Sequence, residues 1–269
     1  APARLRPPAP AAGARLTGSF SSRPASLLPD MATAAPPVIQ LTGVVKDYKG
    51  LRPLRVALLT VADGERVAVA GFDATAAEVL VNLVNGAILP DAGSVSVLGR
   101  DTADIGDETE WLASLERFGI VTPRAVLLEG ATLLQNLALP MTLEIDRVPD
   151  DIQARIRELA RRVGIAEASL GQLAGEAPAD VRMRVHLARA VALRPQVLLF
   201  EHPTLGVMPE VVPGFAHDTL RVVSEEALTV LAVTNDQVFT DLVAQRAYTL
   251  RPATGELVST KGWRRWLGM

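Results

Sequence analysis

The sequence predicts an α/β fold with a parallel-rich core sheet and a helical subdomain inserted between its halves, and three observations lead there. Compact apolar runs of strand length recur along the chain, bounded by glycine, proline or charge, as in VLLFE at 197–201. AEVLVNLVNGAIL at 77–89 instead spaces its apolar residues as a helix does. Between about 124 and 194 the strand-like runs give way to helical spacing, and strands resume afterwards.

From Val38 the elements follow in order. VIQLTGVVKDY (38–48) and LRVALLTVADGERVAVAG (54–71) alternate apolar and polar residues and read as strands, with a turn at Asp63-Gly64. The helix at 77–89 follows, then GSVSVLG (93–99), a short strand between glycines. GIVT (119–122), VLLFE (197–201) and LTVLAVTN (228–235) suit strands buried on both faces. In DDIQARIRELARRVGI (150–165), Ile152, Ile156, Leu159 and Val163 line one helical face behind Pro149, Asp150 and Asp151 as a start signal. VRMRVHLARAVAL (181–193) is a second helix, stopped by Arg194-Pro195. RAYTLRPATGELV (246–258) reads as a hairpin turning at Ala253-Thr254-Gly255. The domain so defined spans about 38–260.

Composition bounds the chemistry. A chain of 269 residues, 49% apolar and 21% charged, can bury a substantial core. Its net charge of −3 gives no global attraction to nucleic acid. With no cysteine there is no disulfide or thiolate chemistry, and His186, His202 and His217 are too scattered for a zinc site. No apolar run reaches the roughly 18–20 residues of a membrane span, so work at a membrane would go through a partner. No Ser/His/Asp set, supported carboxylate pair or basic patch with interleaved aromatics is visible. Residues 1–37, rich in Ala, Pro, Arg and Ser with Asp30 their only acid, are expected to be flexible. They resemble an organelle transit peptide in composition. The alternative is an extension ahead of Met31, where MATAAPPVIQL looks like a natural start. The C-terminal segment 261–269, KGWRRWLGM, places Trp263, Arg264, Arg265 and Trp266 in an aromatic-basic tail suited to a membrane interface, a partner groove or a packed helix end.

Six strings, in order, resemble the ATP-binding subunits of ABC transporters over about Val38–Val258: DGERVAVAG, PDAGSVSVLGRD, QNLALP, RVHLARAVALRPQVLLFEHPT, PTLGVMPE and LAVTND. The resemblance implies a P-loop NTPase-like fold and a set of family positions that must be read residue by residue. The family's phosphate loop, G-x-x-x-x-G-K-[ST], cradles phosphates on glycine amides, neutralises them with lysine and holds magnesium on the hydroxyl. Here it falls on Gly71-Phe72-Asp73-Ala74-Thr75-Ala76-Ala77-Glu78. Gly71 is retained, Ala76 stands for the second glycine, Ala77 for the lysine and Glu78 for the hydroxyl residue. Like charges about 4 Å apart cost roughly 1 kcal/mol in water and about 4 at an effective dielectric of 20. The exchange of lysine for alanine and the added carboxylates Asp73 and Glu78 thus oppose a bound triphosphate. Glu78 and Glu201 are the carboxylates that would ligate magnesium if a nucleotide–metal complex bound.

Glu201 stands for the family's magnesium-orienting aspartate and His202 for its catalytic glutamate, with a structural loop histidine as the alternative. The glutamine-loop position falls on Pro123, the switch histidine on Asn235 and the D-loop aspartate on Met208. The Leu-Ser-Gly-Gly-Gln signature falls on Ala177-Pro178-Ala179-Asp180-Val181. Tyr48 stands where an aromatic residue stacks on adenine, against simple packing at a strand end. In this family ATP lies between the phosphate loop of one subunit and the signature of the other. Loss of both here implies no competent composite site in a homodimer or beside an intact subunit. Three readings follow. One is a pseudo-ATPase, without nucleotide or metal cofactor, acting as scaffold or regulatory subunit on a transmembrane permease, peripheral to the cytoplasmic side of a membrane and paired with itself or another ABC subunit. The others are a divergent ATPase using Mg·ATP through Glu78, Glu201 and His202, and a soluble interaction module reusing the fold. No reading involves nucleic acid.

Overall fold

The computed structural model describes residues 36–260. The predicted N-terminal segment, up to residue 35, and the tail 261–269 with its tryptophans lie outside the described residues.

Two sheets enclose a helix. β1 (Ile39–Lys46) and β2 (Leu54–Val61) form an antiparallel pair, and the turn at Asp63-Gly64 lies beyond β2. β3 (Arg66–Ala70) then crosses into a second sheet, and α1 (Ala74–Val84) returns to β4 (Ala92–Val97) and β5 (Arg100–Asp101). The first sheet has the order β2-β1-β4-β5. β1 approaches β4 so closely at a bulge that a Cβ on Gly93, whose φ is +82°, would stand 2.4 Å from the Gly43 backbone.

The chain continues through α2 (Glu108–Leu115), β6 (Phe118–Val121), α3 (Leu133–Ala138), α4 (Asp150–Arg162) and α5 (Ala179–Val191). It closes with β7 (Val197–Glu201), α6 (Val212–Glu225), β8 (Thr229–Val233), α7 (Gln237–Val243), β9 (Arg246–Arg251) and β10 (Glu256–Ser259). The second sheet runs β10-β9-β3-β8-β7-β6, parallel from β9 to β6, with β10 the antiparallel hairpin partner of β9. The α/β class and the parallel-rich sheet are those the apolar runs predict.

The two faces of this sheet serve two cores. Val67, Val69, Val197, Leu199, Leu231 and Val233 point toward α1 and the antiparallel sheet, while Ala68, Leu198, Phe200, Val230 and Ala232 point to α3–α7. Both faces are covered, which is why these strands read as unbroken apolar runs. The helices between β6 and β7 fall within the expected insertion, but Ile156, Leu159 and Met183 share one continuous cluster with Phe200 and Phe215. That segment therefore has no separate core. Four helices, α2, α3, α6 and α7, were not anticipated. α3 and α7 are only six and seven residues long, and α6 carries Pro213 and Gly214 in its first turn, so periodicity over these stretches is weak. Their starts are instead marked by caps: Asp107 for α2, a Thr132–Gln135 capping box for α3 and Asp236 for α7.

Two stability predictions follow from this packing. Leu80 is fully buried between the sheets, so Leu80→Ala should lower the unfolding free energy by about 2–5 kcal/mol, whereas Leu51→Ala at an exposed loop should change it by less than about 0.5. Denaturant titration reads both. Burial on α5, then the Arg189 and Arg182 charges, lowers the His186 pKa from 6.5 to about 4. The unfolded chain therefore takes up a proton that the folded chain refuses, and stability is lost as pH falls from about 6.5 to about 4. At pH 4, His186→Gln should remove up to roughly 3 kcal/mol of the stability lost by the wild type, with little difference at pH 8.

Candidate functional site

The carboxyl ends of β3, β7 and β8 and the start of α1 meet at one edge of the parallel sheet, where ligands of open α/β sheets are held. β3 ends at Ala70, and Gly71 turns the chain at φ +87° with its α-carbon so near β9 that a Cβ would lie 3.0 Å from the Leu250 carbonyl oxygen. Only glycine fits there. Phe72 is buried in the cluster around α1 and pins the next step of the loop.

α1 begins at Ala74, and its N-cap is Asp73, whose carboxylate accepts a hydrogen bond from the Ala76 amide at 2.8 Å. A helix N-terminus presents amides and positive dipole to an anion. Here one of those amides is engaged by a carboxylate of the chain itself. Ala76 and Ala77 are buried, so neither position projects a cation toward the loop. Asn235, after β8, laces the loop in place: its Oδ1 accepts from the Gly71 amide at 2.9 Å and its Nδ2 donates to the Phe72 carbonyl at 3.1 Å.

A residue that the sequence reading did not single out completes the site. Arg124, just past Pro123 in the connection from β6 to α3, donates from Nε and one terminal nitrogen to the two oxygens of Glu201 at 2.7 and 2.6 Å. Its other terminal nitrogen lies 2.7 Å from Glu78 on α1. Glu201 has a side-chain exposure of only 3%, against 40% for Glu78. A buried carboxylate with a bidentate guanidinium is a strong pair that would be costly to break from one side. The Glu201 hydrogen bond is the largest influence holding Arg124 above its ordinary pKa, so the cation is permanent. Nothing in the sequence marks Arg124, because a loop arginine after a proline is ordinarily solvated surface.

The other expected positions divide. His202 follows Glu201 at φ +42°, its amide donating to the Val233 carbonyl at 2.8 Å. Its Nε2 is buried with no hydrogen-bond partner among the described residues. Tyr48 lies at the end of β1, packed against the α1 cluster; burial first and the Asp73 charge second raise its pKa. The stretch Ala177–Val181 spans the turn into α5, with Pro178 at the N-cap and Asp180 3.4 Å from Arg184 on the same helix. Met208 is exposed in the loop between β7 and α6 beside exposed Leu205. Glu78 and Glu201, the carboxylates expected for magnesium, both hold Arg124, and no cluster of three metal-ligating side chains exists among the described residues.

Comparison with known proteins places this architecture. The profile of the ABC transporter family matches residues 54–205, from β2 to just past β7. The chain is 31% identical over 217 residues to the L-cystine transport system ATP-binding protein TcyN of Escherichia coli (strain K12), covering 78% of this chain and 84% of that protein. It is 30% identical over 232 residues to the octopine permease ATP-binding protein P of Rhizobium meliloti, covering 82% and 87%. Among solved structures, cbiO1 from Clostridium perfringens, part of the ABC transporter complex cbiONQ, superposes with a TM-score of 0.70 at 19% identity over 83% of this chain and 88% of that one. The dimeric ATP-binding cassette MJ0796 bound to ADP and Pi gives 0.68 at 21% identity over 83% and 99%. The chain belongs to the ATP-binding subunit family of ABC transporters. Members of that family are named as ATP-binding proteins; in this chain Asp73 caps the start of α1, residue 77 is an alanine, and Glu78 and Glu201 are both paired with Arg124.

Loss of the cap tests the first of these features. Asp73→Ala should cost about 1 kcal/mol of stability, read by thermal unfolding, without conferring a calorimetric response to Mg·ATP.

Proposed function

We propose that this chain is a pseudo-ATPase: an ABC-type subunit that acts as a scaffold or regulatory component of a membrane transport assembly without binding or hydrolysing ATP. The observation that carries this reading is the Asp73 carboxylate at the N-terminus of α1, hydrogen-bonded to the Ala76 amide. It places a fixed negative charge where a phosphate would have to sit, and the alanine at 77 supplies no cation to offset it. Glu78 in the next turn adds a second carboxylate near the helix end that would otherwise attract an anion.

A phosphate binder would need the opposite charge pattern, so the fold is retained here without its ligand chemistry. Relatives named as permease and transport-system ATP-binding proteins support a membrane permease as partner. No helix among the described residues is long and apolar enough to cross a membrane, so contact with the bilayer would run through that partner. Exposed Leu205, Met208 and Val211, in the stretch that follows His202, would suit a second ABC-type chain.

Titration calorimetry of the full chain with Mg·ATP should show no saturable heat and no turnover. Micromolar binding overturns the reading in favour of a divergent ATPase. Affinity capture from solubilised membranes should recover an integral membrane protein, and capture of soluble partners alone replaces the transport assembly with an interaction module.

A further inference from the structure

The connection from β6 to α3, residues 122–132, joins the parallel sheet to the helical segment, and its attachments to the two sides differ in kind. Toward the helices it is laced by short-range polar contacts. The Leu128 amide donates to Asn136 Oδ1 at 2.9 Å and the Asn136 side chain donates back to the Leu128 carbonyl at 3.0 Å. Arg189 of α5 donates to the Val126 carbonyl at 2.9 Å, and the Ala174 amide donates to the Ala131 carbonyl at 2.9 Å. Toward the core, Arg124 reaches β7 through Glu201 and α1 through Glu78.

We infer that Arg124 is a tethered cation that latches this connection to the end of β7 and to α1 without metal or nucleotide. The inference rests on the preceding reading that no magnesium nucleotide enters the site, and it assigns the two carboxylates a partner of their own. Three features support it. The guanidinium sits between two carboxylates of different elements, so one side chain joins three parts of the fold: the connection, the end of β7 and the second turn of α1. Its geometry toward Glu201 is bidentate, which fixes direction as well as distance, and a point-charge lysine would not reproduce it. Because the cation is part of the chain, its effective concentration at the carboxylates is set by a short loop rather than by the surrounding solution. A diffusible cation leaves when its concentration falls; Arg124 does not.

The stronger arm of the latch is the buried one. Glu201 ends a fully buried strand and has no water to return to if the guanidinium leaves, whereas Glu78 is partly solvated. Loss of Glu78 should therefore loosen the connection less than loss of the Arg124–Glu201 pair.

Hydrogen–deuterium exchange of the full chain, with and without saturating Mg·ATP, tests this. In the wild type, amides of 122–131 should be protected equally in both conditions. Arg124→Gln should raise exchange in that segment roughly tenfold or more while α1 and β8 keep their protection. Because a single variant strands the buried Glu201 charge, the double variant Arg124→Gln/Glu201→Gln is measured beside it. It leaves no lone buried charge, since Glu78 is partly solvated, and should show the same loosened segment. Wild-type exchange in 122–131 of the double variant, with no nucleotide response in the parent, overturns the latch alone. A change in wild-type protection on adding Mg·ATP overturns the nucleotide-free reading on which the latch rests.

Discussion

Burial of α1 between two sheets is the constraint on which the rest depends. The helix shares its apolar cluster with β1, β2 and β4 on one side and with β3, β7 and β8 on the other, so it cannot rotate or slide without exposing Leu80, Leu83 or Val84. Fixing the helix fixes its N-terminus. Gly71 must then turn the chain under β9, Phe72 must enter the core, and Asp73 falls at the cap. Glu78, one turn further on, is carried to the mouth of the site by the same helix. The scaffold holds these residues with the rigidity that a ligand site needs, although what it holds in place is a set of contacts within the chain.

The electrostatics of that mouth are closed on themselves. A helix end that attracts anions has its own carboxylate, and a carboxylate pair that attracts cations has its own guanidinium. Asn235 adds a neutral tie from β8 to both sides of the Gly71–Phe72 step. Each is the kind of partner that satisfies a buried polar group, and together they leave His202 Nε2 as the polar atom of the site without one among the described residues. A partner that is covalently part of the chain stays in place whatever the composition of the surrounding solution.

Away from the site, ion pairs stitch the helices to each other in a similar way. Arg184 of α5 lies 2.8 Å from Asp218 of α6 and over the Phe215 ring, and Arg162 of α4 reaches Glu226 at the end of α6. Arg184 is nearly buried, so its pairing is required rather than decorative. These contacts, with the shared apolar cluster, make the segment between β6 and β7 part of the main body.

The sequence by itself determined the strands other than the two-residue β5, together with α1, α4, α5, the terminal hairpin and their order along an α/β chain, because strand and helix periods and turn residues are local properties of the chain. The identities of Asp73, Ala77 and Glu78 are likewise legible one letter at a time. The tertiary structure alone decided what those residues do. Asp73 reads in sequence as one more repelling charge and in the fold as a helix cap. Arg124 reads as solvated surface, and only the fold carries it across 77 residues of sequence to Glu201. The short helices α3 and α7 and the proline-containing α6 were likewise set by packing and caps rather than by period. Charges pair through space, and one-dimensional spacing records only the partners that lie within a few residues of one another.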